Sequence, residues 1–134
     1  MNVHGACHCG AVAYEATVDP DRVVICHCTD CQNLTGTAYR VTVPTRVDDF
    51  RLQQGVPKIY FKVGGSGRRR AQTFCGDCGS HLYSYTADVP PLTFGLRVGC
   101  IRERRELTPR KRIWCRSALE WSLDLHAMDA RPEE

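Results

Sequence analysis

The sequence predicts a mainly β fold of antiparallel sheets whose core is assisted by bound metal. Three observations carry this expectation. Apolar side chains alternate with polar ones over short runs rich in valine, isoleucine, tyrosine, threonine and phenylalanine. Glycine, proline and aspartate punctuate those runs, at Asp19-Pro20-Asp21, Gly55-Val56-Pro57, Gly64-Gly65-Ser66-Gly67 and Pro90-Pro91. Seven of the nine cysteines stand in three tight clusters, at spacings that let neighbouring thiolates reach one cation.

The elements follow in order. Ala11 to Val18 alternates Val12, Tyr14, Ala16 and Val18 with Glu15 and Thr17, and stops at Asp19-Pro20-Asp21. Arg22 to Cys26 is a short apolar run that ends on a cysteine. A single short helix is expected from Thr29 to Thr35, just after the central cysteines. Further strands are expected over Ala38 to Val43, Asp49 to Gln53, Lys58 to Val63, Arg70 to Phe74, His81 to Thr86 and Leu92 to Val98. No stretch keeps a long period of 3.6 residues, so a helical bundle is excluded.

A chain of 134 residues fits one domain, expected over residues 1–128 with a disordered tail at 129–134. At this size a hydrophobic core is possible, so metal assists folding and does not replace the core. The net charge of +3 is too weak to argue for nucleic acid as a partner. The positive charge is uneven: Arg68-Arg69-Arg70 form one run, and Arg102 to Arg105 with Arg110-Lys111-Arg112 form another. These read as solvated loops and strand ends, or as a rim that attracts an anionic substrate. No segment approaches the roughly 20 apolar residues of a membrane span. The first residues lack a basic stretch followed by an apolar one, so no signal peptide is read and a cytoplasmic location is expected. In a reducing compartment clustered cysteines point to metal or redox chemistry before disulfides.

The clusters are C-x-C at Cys7 and Cys9, C-x-C-x-x-C at Cys26, Cys28 and Cys31, and C-x-x-C at Cys75 and Cys78. Two filled tetrahedral zinc sites need eight ligands, and seven cysteines suggest one closed site and one open site. A zinc with three protein ligands and a vacant position is the arrangement of a catalytic metal. Cys26, Cys28 and Cys31 fall within six residues and can share an ion at little loop-closure cost. Cys7, Cys9, Cys75 and Cys78 then complete a four-thiolate set, which leaves no thiolate orphaned. A second partition stays open, in which Cys28 and Cys31 join Cys75 and Cys78 as a zinc ribbon and strand Cys7, Cys9 and Cys26. An iron–sulfur cluster normally takes four cysteines and fits the three-cysteine group badly.

Other polar residues read more weakly. His8 and His27 each lie between two cysteines, where an extended backbone turns them away from the metals. His27 could still serve in the outer shell or as a proton carrier. His81 is expected near the closed site in a surface or packing role. Cys100 and Cys115 lack a partner at ligand spacing and are expected in the core. Asp30 is a base or a helix cap. Trp114 and Trp121 are expected in the core or in a cleft wall. Gly5, Gly10, Gly36, Gly76 and Gly79 flank the clusters as turn glycines.

Three motifs carry a resemblance. G-x-C-x-C-G-x-V-x-Y from Gly5 to Tyr14, C-H-C-x-x-C-Q-x-x-T-G-T from Cys26 to Thr37, and F-C-x-x-C-G-S-x-L from Phe74 to Leu82 closely resemble the glutathione-dependent formaldehyde-activating enzyme family. A centromere protein of animals carries a similar domain. The resemblance runs from about Gly5 to Leu125, and takes in Leu96 to Cys100, Leu107-Thr108-Pro109, Ile113-Trp114 and Trp121. It implies antiparallel sheets of β-tent type stabilised by zinc, two zinc ions in all. One is a structural zinc on Cys7, Cys9, Cys75 and Cys78, and the other a catalytic zinc on Cys26, Cys28 and Cys31. It implies a carbon–sulfur lyase acting on a thiol–aldehyde adduct such as S-hydroxymethylglutathione, with glutathione and formaldehyde as partners. One departure stands out: the family commonly has a histidine where Arg112 precedes Ile113.

Either a thiol or a carbonyl at the open site would suit thiol–aldehyde addition. Arg40 or the Arg68 to Arg70 run could hold substrate carboxylates. The rival expectation is a non-enzymatic zinc module that binds protein or nucleic acid through its basic runs. A third, a thiol–disulfide or sulfoxide reductase, would have to use Cys100 or Cys115.

Overall fold

Alternation decides which way each strand faces, and Tyr14 shows it first. Its ring lies across Gly5 on the neighbouring strand, in space that any side chain at Gly5 would fill. The computed structural model describes residues 1–134. Its strands are β1 (Asn2–Ala6), β2 (Ala13–Thr17), β3 (Val24–Cys26), β4 (Arg40–Arg46), β5 (Phe50–Gln54), β6 (Lys58–Val63), β7 (Arg69–Phe74), β8 (His81–Thr86), β9 (Thr93–Arg97) and β10 (Lys111–Ile113). One helix, α1 (Thr29–Thr35), follows β3. The fold is mainly β.

The strands form two sheets. A three-stranded sheet runs β1-β2-β5, and a seven-stranded sheet runs β10-β3-β4-β9-β8-β7-β6. Every pairing is antiparallel except β10 with β3, which is parallel, so the large sheet is mixed where antiparallel pairing alone was expected. The sheets dock through aromatic rings. Tyr14 and Phe50 of the small sheet meet Tyr83 and Phe94 of the large one, with neighbouring centroids 4.9 to 6.3 Å apart. Val3, Val43, Leu82, Leu96 and Ile101 are buried around them. The Thr45 hydroxyl donates to the Thr17 carbonyl at 2.7 Å and fastens β4 to the end of β2.

The other face of the large sheet is polar. Residues directly paired across strands share a face, and so do residues two apart along one strand. Cys26 pairs with Arg40, Thr42 with Arg97, Ser84 with Gly95, and Gln72 with Ser84. One row therefore carries Cys26, Arg40, Thr42, Arg97, Ser84 and Gln72, and Arg40, Arg97, Ser84 and Gln72 are buried along it.

The predicted spans of β6, β8 and α1 agree with the structure, and β2, β3, β4, β5, β7 and β9 shift by one to three residues at an end. Arg22 belongs to a short 3-10 turn, Pro20–Arg22, that proline starts, so β3 begins only at Val24. The strands β1 and β10 were not anticipated. In β1 only Val3 presents a large apolar side chain to the core, and Gly5 lowers the local strand propensity. In β10, Lys111 and Arg112 are exposed, and backbone pairing to β3 holds the strand in place. Residues 129–134 are exposed and carry no helix or strand.

Packing at Gly5 gives a direct test. Gly5→Ala is expected to lower the unfolding free energy by roughly 1–3 kcal/mol through overpacking against Tyr14. Gly99→Ala adds a Cβ with nothing within 4 Å, and is expected to change it by less than about 0.5 kcal/mol. Urea titration of both variants checks the contrast.

Candidate metal centres and the adjoining cleft

The first group of thiols joins the turn after β1 to the turn after β7. Cys7, Cys9, Cys75 and Cys78 bring their Sγ atoms within 4.8 Å of one another. Tight turns present them: Gly10 N–H donates to the Cys7 carbonyl at 3.1 Å, and Gly79 N–H to the Cys75 carbonyl at 2.9 Å. Gly10 and Gly79 adopt φ of 82° and 76°, which glycine enters without strain. The Val12 N–H points at Cys7 Sγ, 3.2 Å away. Cys7 and Cys75 are buried, whereas Cys9 and Cys78 are exposed. The Ser80 hydroxyl beside Cys78, first among several donors, draws that thiol down to about 5.

The sulfur spacing fits a metal. A tetrahedral ion with sulfur at about 2.3 Å sets its ligands about 3.8 Å apart. Cys7 and Cys9 Sγ stand 3.6 Å apart, and Cys9 and Cys75 Sγ 3.8 Å. These separations are far beyond a disulfide bond. All nine cysteines are free thiols.

The second group is Cys26, Cys28 and Cys31, again within 4.8 Å. Cys26 ends β3, Cys28 caps α1, and Cys31 lies buried in its first turn. The Cys31 N–H donates to Cys28 Sγ at 3.3 Å, so the capping group of the helix is itself a thiol of the cluster. Gln32 clamps the loop, donating from Nε2 to the carbonyls of His27 (2.8 Å) and Ser117 (2.9 Å). Bonding to Cys31, then a backbone N–H at Cys28 and the charge of Arg40, bring Cys26 down to about 5 against the opposing effect of burial. The same bond pushes Cys31 up, and burial adds to it. No fourth cysteine, histidine or carboxylate belongs to this group. The partition into four and three therefore stands, and the ribbon pairing of Cys28 and Cys31 with Cys75 and Cys78 does not form.

A cleft of about 920 Å³ takes its walls from beside both groups. Leu34 to Arg40 contribute from the end of α1 into β4, and Gly79 to His81 from the turn after Cys78. Arg97, Cys100, Trp121 and Leu125 close it, and no Asp or Glu lines it. Burial, then the charges of Arg40 and Arg97, hold the His81 imidazole below its ordinary pKa. Burial, then the charge of Arg40, pulls Arg97 down to about 9.

The remaining expected residues sort as follows. His8 is exposed and His27 buried, and neither belongs to a thiol group. His27 is buried edge-on behind the cleft residue Tyr39, with both ring nitrogens unpartnered, and does not itself line the cleft, which weakens it as a proton carrier. Asp30 is not the cap; it pairs with Lys62 at 2.7 Å. Cys100 is half-buried against the core, its Sγ donating to the His81 carbonyl at 2.8 Å. Cys115 is exposed in a 3-10 turn, contrary to the expected core position, because the chain after β10 runs along the surface. Trp121 lines the cleft, but Trp114 is exposed under the Arg116 guanidinium. In the basic runs Arg102, Arg104, Arg105, Arg110 and Arg112 are exposed, as solvated segments would be. Arg97 escaped the sequence reading; its signal was a charged residue between Leu96 and Val98 in an apolar strand.

A family model described as glutathione-dependent formaldehyde-activating enzyme matches residues 2–117. Among solved structures, a crystal structure of a Rhodobacter sphaeroides protein is similar, with TM-score 0.62 and 22% identity. The match covers 81% of this chain and 98% of that one. At that identity the likeness speaks for the fold alone.

The unequal shells predict unequal retention. Metal analysis of the isolated chain is expected to give two ions, and mild chelation to remove first the one on Cys26, Cys28 and Cys31, whose shell lacks a fourth protein ligand. Cys28→Ser keeps an oxygen cap for α1 but should halve the metal content, while Cys75→Ser should also lower Tm. Equal resistance of both ions to chelation would contradict the open-site reading.

Proposed function

This chain belongs to the glutathione-dependent formaldehyde-activating enzyme family, and on that premise we propose that it is a zinc-dependent carbon–sulfur lyase acting on a thiol–aldehyde adduct such as S-hydroxymethylglutathione. Membership implies glutathione-dependent formaldehyde activation. The finer reading assigns a structural zinc to Cys7, Cys9, Cys75 and Cys78, and a catalytic zinc to Cys26, Cys28 and Cys31. The observation that carries it is a three-thiol group, uncompleted by any other ligand, beside a cleft whose formal charges are all positive.

When bound there, zinc supplies Lewis acidity toward a carbonyl oxygen and a lowered pKa for an incoming thiol. The chain does the rest. Arg40, on the face that bears Cys26, offsets the negative charge of the thiolates. The Cys31 N–H spreads charge from the Cys28 sulfur. Trp121 and Leu125 give the cleft an apolar wall. In the forward direction a bond forms between the thiol sulfur and the aldehyde carbon, and the sulfur's proton ends on the former carbonyl oxygen. The His81 ring, kept neutral by burial and by Arg40 and Arg97, is the cleft's proton carrier: it takes that proton and returns it.

The non-enzymatic alternative, binding through the basic runs, leaves the arginines inside the cleft without a purpose.

Two measurements test the reading. Exchange spectroscopy on formaldehyde and glutathione should show faster formation and breakdown of S-hydroxymethylglutathione with the protein present, and the uncatalysed rate with Cys28→Ser. The pH profile supplies the second. Because the folded protein lowers the His81 pKa, more than half of its imidazole is neutral at a pH of about 6.5, where a free imidazole is half protonated. Activity should therefore hold through that point and fall only at lower pH, and His81→Gln should be slow throughout and lack that acid limb. An acid limb unchanged in His81→Gln would remove His81 from the mechanism.

A further inference from the structure

The large sheet ends on two strands of different kinds. At one margin β10 is three residues long and exposes Lys111 and Arg112. A short, charged strand is a poor template for further pairing. At the other margin β6 runs for six residues and pairs only with β7, so its second side carries unpaired backbone. Bonding alternates along an antiparallel strand, and the hairpin therefore decides which residues face that side. The Gly64 N–H donates to the Arg68 carbonyl at 3.1 Å and closes the turn between β6 and β7. Counting back by two, Lys62, Tyr60 and Lys58 bond to β7. The N–H and C=O groups of Ile59, Phe61 and Val63 turn to the open side.

The side chains of those same three residues are apolar and uncovered. Ile59 and Phe61 share a face with Thr73 and Ala71, which are buried, yet they and Val63 remain exposed. Leu52, on the marginal strand β5 of the small sheet, faces the same way as its partner Tyr14. Val56 stands on the link between β5 and β6. These five residues are 41 to 86% exposed. Together they present on the order of 500 Å², about as much as the largest apolar patch on an ordinary monomer. Arg69 lies over the Phe61 ring at 5.0 Å and is paired with Asp88 at 3.0 Å, a charge-balanced rim to the patch. The usual guards of a strand edge are an inward charge, a proline within the strand or a bulge. The strand β6 has none of them. Its lysines lie on the opposite face, Lys62 bonded to Asp30 at 2.7 Å, Pro57 precedes the strand, and the register with β7 is unbroken.

A second copy of β6 fits this edge, and charge selects how. Two antiparallel copies keep like face beside like face only when the two-fold axis passes through a residue. An axis through Tyr60 sets Lys58 opposite the partner's Lys62, and one through Lys62 sets that lysine opposite the partner's Lys62. Like charges so placed are destabilising. An axis through Ile59 brings Pro57, which has no N–H, opposite the partner's Phe61. An axis through Phe61 avoids all three faults. Phe61 then meets the partner's Phe61, Ile59 the partner's Val63, and Lys62 the partner's Tyr60. The outward N–H and C=O groups of Ile59, Phe61 and Val63 bond to one another across the axis, and their side chains merge the two patches on one face. The two patches amount to about 1,000 Å², the size at which a specific interface begins. We infer that the protein is a two-fold dimer whose large sheets join edge to edge through β6, with Phe61 on the axis. This requires nothing of the reaction proposed above.

Sedimentation equilibrium of the full chain with its metals bound, at micromolar concentrations, tests it. The wild type is expected at twice the 15.1 kDa of one chain. Phe61→Lys sets like charges against each other on the axis and should weaken the dimer about tenfold or more. Leu123→Lys, at an exposed position beyond β10, should leave the dimer intact. The register has its own test. Ile59→Lys alone should weaken association as Phe61→Lys does, and adding Val63→Glu should restore most of it, because the introduced charges then face each other across the axis. That restoration also shows that the loss is not a failure to fold. A wild type at the mass of one chain overturns the dimer; if it then sediments with phosphatidylcholine vesicles, the patch belongs to a lipid surface instead. A dimer that survives Phe61→Lys overturns the use of β6. Failure of Val63→Glu to rescue Ile59→Lys overturns the axis through Phe61.

Discussion

Everything in this protein turns on the two faces of one strand. The strand β4 lies between β3 and β9 in the large sheet and has opposite tasks on its two sides. Val43 and Thr45 point inward, where they are buried against the small sheet. Arg40 and Thr42 point outward, beside Cys26 and Arg97. The period of a strand is two, so a slip of one residue would carry the arginine into the core and the valine onto the polar face. The same register that builds the core therefore builds the cleft. Neither can drift without destroying the other.

The thiol groups use this scaffold differently. The group of four ties two turns that are far apart in the chain, with Cys9 and Cys75 66 residues apart. It closes beside the core, into which Cys7 and Cys75 are packed. Its turns depend on backbone donors and on left-handed glycines, and its outer thiols face water. The group of three is local, and its ligands come from a strand end and a helix cap. It is held from outside, by β10 pairing with β3 and by the Gln32 clamp to Ser117. A shell that leaves a corner free must be kept rigid by what surrounds it. Here that support comes from the C-terminal segment, which also contributes Trp121 to the cleft.

Much of this was legible in the sequence because cysteine spacing and strand alternation are local signals. The span of α1 was readable between the central cysteines and Gly36, which ends it at φ 64°, although its cap is Cys28 and not Asp30. The division of the thiols followed from counting ligands. What could not be read depended on distant partners. Nothing in Lys111-Arg112-Ile113 announces a strand, since its place is set by the backbone of β3. Cys115 and Trp114 looked like core residues by type, yet the chain beyond β10 has no sheet to bury them. Trp114 even adopts φ 56°, an uncommon conformation for a residue with a bulky side chain, immediately after the residue that pairs with Cys26. The polar row behind Arg40 was hidden for a related reason. Gln72, Ser84 and Arg97 meet Arg40 only when four strands are aligned.

The polar row also explains why the molecule keeps an arrangement that folding alone would not favour. A core face lined with valine and leucine stabilises by burial, but a buried guanidinium with free N–H groups does the reverse. Gln72 softens the cost, since its one carbonyl oxygen accepts from both Arg40 and Arg97 and holds two like charges apart. It cannot neutralise them. Arg40 and Arg97 repel one another, yet both also feel the thiols of the three-cysteine group, while the rings that dock the sheets lie on the other face. The site is thus separable from the fold in energy though not in register: the core supplies the stability, and the row spends a part of it to keep donors waiting beside the open thiol group.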